Sequence, residues 1–76
     1  MREALEKLVK TLVSDKDAVE VQERTDRSST VFAVKVAEAD MGRLIGREGR
    51  TAKAIRSLLF FAGQKSGRRY VLEIVE

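Results

Sequence analysis

The stretch Asp40-Met41-Gly42-Arg43-Leu44-Ile45-Gly46-Arg47-Glu48-Gly49-Arg50 limits what this chain can fold into more than any other. Helix-forming sequence lies on both sides of it. Met41, Leu44 and Ile45 before it are spaced to pack inward, and Ala52 to Ala62 follows. Gly46 and Gly49, two charged residues apart, let the backbone turn sharply between two helices and leave no Cβ in the way of a close partner. The second helix starts at this turn, so its free N–H groups and the positive end of its dipole point at whatever binds there. Phosphate suits that arrangement. Arg47, Arg50, Lys53 and Arg56 stand around it, and the pattern predicts a loop that grips the backbone of a single-stranded nucleic acid.

The charge distribution agrees. From Met41 to Arg69 eight basic residues face Glu48 alone, a local +7 that leaves −4 for the rest of a chain whose total is +3. Such asymmetry creates a positive field suited to a polyanion. A Lys- and Arg-rich helix face that is merely solvated would give the same count, and the glycine loop inside the basic stretch decides against it. The chain has 76 residues, one domain's worth, and neither Cys nor His. No thiol nucleophile, imidazole base or zinc site of the usual kind can be assembled, so no enzyme activity, metal or cofactor is expected. No apolar run is long enough to span a membrane, and the lack of Cys suits the cytoplasm.

Taken in order, Glu3 to Val13 carries Leu5, Leu8, Val9, Leu12 and Val13 at i, i+3, i+4, i+7 and i+8, the apolar stripe of an amphipathic helix. Ser14-Asp15-Lys16-Asp17 ends it. Ala18 to Arg24 alternates Val19 and Val21 with polar residues, a half-buried strand whose acids keep it from nucleic acid. A polar connection leads to a stronger strand, Thr30 to Val36, with Phe32, Val34 and Val36 on one face. The two predict a hairpin. Ala37 to Asp40 opens the next helix with Glu38 and Asp40 in its first turn, and Gly46 ends it. Arg50 to Lys65 is the longest helix, closed by Gly63 and Gly67, and Tyr70 to Val75 is the last strand. The order α-β-β-α-α-β predicts an α+β domain over 1–76, two layers, with helices on one face of a three-stranded sheet.

The long helix is apolar over too wide an arc. Ala52, Ile55, Leu59 and Ala62 form the expected core face, while Ala54, Leu58 and Phe61 form a second stripe beside it. Together they cover about half the circumference, more than the ~100° that core packing needs. Either the helix is sandwiched deeply in the domain, or the second stripe is a self-association face. Lys53, Arg56 and Phe60 project from another side.

Other glycine signatures fit poorly: the nucleotide phosphate loop needs Gly-Lys-Ser/Thr, and the dinucleotide fingerprint needs a preceding strand. Leu44-Ile45-Gly46-Arg47-Glu48-Gly49-Arg50 instead resembles the Ile-Gly-x-x-Gly core of KH domains. The element order resembles their type II, bacterial form. Over essentially its full length the chain resembles the KhpA family of small stand-alone bacterial KH proteins.

That resemblance implies a module gripping about four nucleotides of single-stranded RNA. Gly46, Arg47, Glu48 and Gly49 would form the clamp, with Gly42 just ahead of it. Ile45, Ala52 and Ile55 would form or support a shallow groove for bases. Arg43, Arg50, Lys53 and Arg56 would attract phosphate, and Glu48 would point away. Small residues at Thr51 and Ala52 imply poor base selectivity, as in an RNA chaperone or a post-transcriptional regulator. It further implies a homodimer, for which Ala54, Leu58 and Phe61 would serve, and pairing with a larger RNA-binding protein of the KhpB or Jag type in control of cell elongation.

Overall fold

The computed structural model describes residues 1–76. Helix α1, Arg2–Leu12, buries Leu5 and Val9, and Leu8 and Leu12 are partly covered beside them. Val13 leaves it in extended conformation but still points into the core. The next strand starts later than its valine alternation predicts. A single 3-10 turn at Lys16–Ala18, in which the Asp15 carbonyl accepts the Ala18 N–H, takes up Ala18. Strand β1 is therefore Glu20–Thr25.

Strand β2, Ser29–Lys35, returns antiparallel with Val21 opposite Val34, the predicted hairpin. The chain then makes a 3-10 turn at Glu38–Asp40, a short helix α2 at Met41–Ile45, a tight turn at Arg47–Gly49, helix α3 at Arg50–Ser66 and strand β3 at Arg69–Ile74. Strand β3 pairs parallel to β2, so the sheet order is β1-β2-β3 with β2 central. A parallel neighbour needs a long crossover, and α2 with α3 supplies it. Two layers and helices on one face result, as the element order predicts.

Phe32, Val34, Val9, Leu44 and Leu59 are the largest fully buried side chains, drawn from both layers. Register sets Phe32 beside Leu72 and Val34 beside Ile74 on the covered face, and the Phe32 ring meets Tyr70 edge-on at 5.4 Å. On the open face Arg24 of β1 reaches Glu73 of β3 at 2.6 Å, across the strand between them. Ala33 lies on that face yet is only 7% exposed.

Helix α3 ends in a Schellman motif. The N–H of Arg68 reaches the Gly63 carbonyl at 2.9 Å and that of Gly67 reaches the Gln64 carbonyl at 3.3 Å, with Gly67 left-handed at φ 70°. Gly63 itself is buried. A Cβ there would run into the Arg68 carbonyl oxygen and sit 3.2 Å from the Tyr70 nitrogen. The absence of a side chain thus lets the end of the helix lie directly on the strand that follows it.

Asp40 takes a different part from the first-turn acid that its position predicts. It is buried, 3% exposed, and its two carboxylate oxygens accept the backbone N–H groups of Ser14 at 3.1 Å and Asp15 at 3.0 Å. It therefore caps the connection after α1 from across the fold. Those two N–H groups, Asp15's foremost, outweigh desolvation and, with Arg43 and Lys16 nearby, hold its carboxyl below the ordinary aspartate value. Because the folded value lies below the unfolded one, the stabilisation is complete above the unfolded value, about 3.9, and is lost as pH falls through the folded value. Urea midpoints of the native chain and of Asp40→Asn should therefore differ most at neutral pH and converge below about pH 4.

Candidate nucleic-acid interface

Helix α2 stops because Gly46 leaves helical space, at φ 80° and ψ 170°, while its N–H still bonds the Gly42 carbonyl at 2.8 Å. Glu48 at φ 57° and Gly49 at φ 74° are both left-handed, and Arg50 then enters α3. Consecutive N–H groups in a turn of this kind make an anion-binding concavity. The first turn of α3 has no side-chain cap and no acid. The Gly49 and Arg50 N–H groups at its start already bond the Gly46 and Arg47 carbonyls, so what the 17-residue helix offers a ligand there is the positive end of its dipole.

The two glycines of the loop turn out to differ. A Cβ on Gly49 would meet nothing within 4 Å, so that position faces open space. A Cβ on Gly46 would collide with the Thr51 side chain and lie 2.8 Å from the Thr51 nitrogen. Gly46 is side-chain-free so that α3 can start against the end of α2, and only Gly49 clears space outside. Gly42, ahead of both, is exposed with nothing near it.

The cations divide in the same way. Arg47, Lys53 and Arg56 are exposed and in no ion pair, whereas Arg50 holds Glu48 at 3.3 Å on the surface. Such exposed pairs contribute at most ~1 kcal/mol, so a phosphate can displace Glu48 from Arg50 at small cost. Arg43 donates to the Ser14 hydroxyl beside Asp40, which ties it to the connection after α1 rather than to the loop. Ile45 is 36% exposed rather than packed inward, and it lines a cleft of about 580 Å³ with Met41, Val36 and Val75 and the charged Lys35, Glu38 and Glu76. Ala52 and Ile55 are buried and line no part of that cleft.

Two further clefts flank α3. Towards α1, an apolar groove of about 320 Å³ runs between Leu8, Leu12, Ala54 and Leu58. Beside it Leu58 is 58% and Phe61 63% exposed, so the second apolar stripe is not sandwiched within the domain. Towards β3, a larger cleft of about 650 Å³ holds Arg56, Phe60, Gln64, Arg68 and Arg69. Sequence periodicity put only Arg56 of these in the site. The signal was there to find: Lys53, Arg56, Phe60 and Gln64 succeed one another at three- and four-residue steps, one flank of a helix.

A family model described as "KhpA/KhpB, KH domain" matches residues 2–74. The chain belongs to that family. It is 44% identical over 75 residues to a Clostridium acetobutylicum protein named RNA-binding protein KhpA, covering 99% of this chain and 100% of the other. It is 44% identical over 77 residues to the protein of that name from Listeria monocytogenes, covering both completely. The protein of that name from Aquifex aeolicus is 40% identical over 76 residues, with 100% of this chain and 96% of the other covered. No solved structure matches significantly.

The contrast between the glycines has a measurable consequence. Alanine at 46 meets both a glycine-only backbone region, at about 1–3 kcal/mol, and overpacking against a backbone nitrogen, at about 1–3 kcal/mol. Alanine at 49 meets only the left-handed penalty of about 1–2 kcal/mol. Urea denaturation should show Gly46→Ala as clearly the less stable of the two.

Proposed function

We propose that the chain is a non-catalytic RNA-binding module that grips the backbone of single-stranded RNA at the Gly46–Gly49 turn. The observation that carries this reading is the uncapped, acid-free start of α3, opened by left-handed Gly49 and ringed by the unpaired cations Arg47, Lys53 and Arg56. Full-length relatives named as RNA-binding proteins support the choice of RNA. Phosphate lies at the positive end of the α3 dipole, among these cations. Bases fall towards Ile45, whose cleft combines Val36, Met41 and Val75 with the charged Lys35, Glu38 and Glu76. A grip on the backbone carries no sequence information of its own, which suits an RNA chaperone or post-transcriptional regulator acting in the cytoplasm.

Arg47→Asp combined with Glu48→Asp puts two short acids on the turn, and Asp tolerates the left-handed position at 48. The double variant should lose RNA binding in a gel-shift assay while its circular dichroism stays native. For the native chain, log K against log salt should fall with a slope of about −2 if three phosphates are neutralised. Affinity that ignores salt would sink the reading.

A second reading rests on Leu58 and Phe61, whose exposure continues the apolar groove at Leu8 and Leu12. With Ala54 they make a face on which a second copy can dock, aligning two loops on one strand, or on which a KhpB- or Jag-like partner can dock in cell-elongation control. Leu58→Lys places a charge in the middle of it. Sedimentation should then show a monomer where the native chain is a dimer, with the loop's affinity for a short RNA unchanged.

A further inference from the structure

Strand β1 bonds only β2, so its outer edge is an unpaired row of backbone groups. At the end of the hairpin the Asp26 N–H donates to the Ser29 carbonyl at 2.8 Å. Antiparallel alternation then turns the backbone groups of Arg24, Gln22 and Glu20 towards β2 and those of Val21, Glu23 and Thr25 outwards. The pairing with β2 runs unbroken from Glu20 to Thr25, so no bulge twists the edge away, and the chain has no proline to interrupt it. Native sheets blunt such an edge with bulges, prolines or charge. Only charge is present here, as Glu20, Glu23 and Arg24.

We propose that this edge docks a second copy of the chain, β1 against β1, antiparallel about a two-fold axis through Gln22. The charges select that register from those that join outward-facing groups. An axis through Glu23 sets the two Glu23 side chains together and Glu20 against Asp26 of the other copy, and an axis through Arg24 sets arginine on arginine. Like charges directly opposite destabilise a sheet. An axis through Val21 joins only the first residues of the strand. With the axis through Gln22, Glu20 of each copy stands directly opposite Arg24 of the other, and symmetry makes the pair twice. The two Gln22 amides meet on the axis, each able to donate and to accept. Val21 of each copy exchanges both backbone hydrogen bonds with Glu23 of the other. On the open face Lys35 stands beside Glu20 in register and Glu73 holds Arg24, so the join continues an alternation of charge from one copy into the next. Helix α1 leaves room for it. Val19 and Val21 are buried on the covered face, whereas Glu23 and Thr25 beyond them are exposed, so α1 roofs one end of the strand alone. About the Gln22 axis the two α1 helices fall on opposite sides, each beside the end that the other leaves bare.

Joined strand edges and exposed ion pairs cover less than the ~1,200 Å² of a stable interface, so the contact is transient and a covalent trap measures it. The chain has no Cys, and single engineered thiols at these exposed positions report the pairing without background. Opposed residues that do not share backbone bonds stand about 4.5 Å apart at Cα, which a disulfide spans. Gln22→Cys should therefore link to itself readily under oxidised glutathione. Glu20→Cys and Arg24→Cys should each link poorly alone and readily when mixed. Adding Glu20→Arg to Gln22→Cys turns both attractions into repulsions and should slow its linking about tenfold, the worth of two cross-strand pairs. Adding Arg24→Glu as well should restore it. Gln22→Cys linking no faster than Glu20→Cys alone would overturn the proposal and leave the edge to a strand of another protein. Arg24→Cys linking to itself as fast as Gln22→Cys would overturn the register and the charge argument with it. The same trap in a Leu58→Lys background separates this edge from the α3 face: unchanged linking supports an independent contact, and lost linking refutes it.

Discussion

Everything in this fold hangs on how closely α3 lies on β3. Gly63 presents bare backbone to the Arg68 carbonyl and the Tyr70 nitrogen, and the Schellman turn reverses the chain within a few residues. Had a side chain stood there, the helix would have been lifted from the strand by the width of a methyl group. Leu59 and Ile55, one and two turns back, would then no longer reach the layer of Phe32 and Leu72. Glycine in a helix interior costs about 1 kcal/mol against alanine. Several nearly complete burials, each about 1.5–3 kcal/mol, outweigh it.

Once seated, α3 divides the helical layer into two kinds of surface. One flank, with Ala54 and Leu58, looks across an apolar groove at α1. The other, with Arg56, Phe60 and Gln64, looks across a basic cleft at β3. The loop lies at the head of the helix between them. A single helix can therefore present an apolar and a basic flank at once, because side chains three or four residues apart share a flank and those one apart do not. Phe60 and Phe61 show the rule at closest quarters.

How much of this was legible beforehand depended on whether the information was local. Helix periodicity placed α1 and α3 to within a residue or two, and the Val-x-Val alternation placed the hairpin. The glycine loop stood out because φ above zero has few other solutions. What periodicity could not carry was contact between distant residues. Asp40 looked like an ordinary first-turn acid because its partners, Ser14 and Asp15, lie 26 and 25 residues away. Ile45 looked inward because Leu44 beside it does point inward, and a five-residue helix has too few turns to separate them. Gly46 and Gly49 looked equivalent until Thr51 was seen against one of them. The cleft at β3 needs a strand that is adjacent only after the chain has doubled back.

The ion pair between Arg24 and Glu73 has a meaning beyond its energy. Both partners are well exposed, so it adds little to folding stability. It does, however, stretch over the middle strand on the one sheet surface that no helix covers, above Val31 and Ala33. Two such surfaces could otherwise zip together dry, the route by which bare sheets become fibrils. A charged pair laid across the pleats makes that mating costly, since both groups would have to be stripped of water.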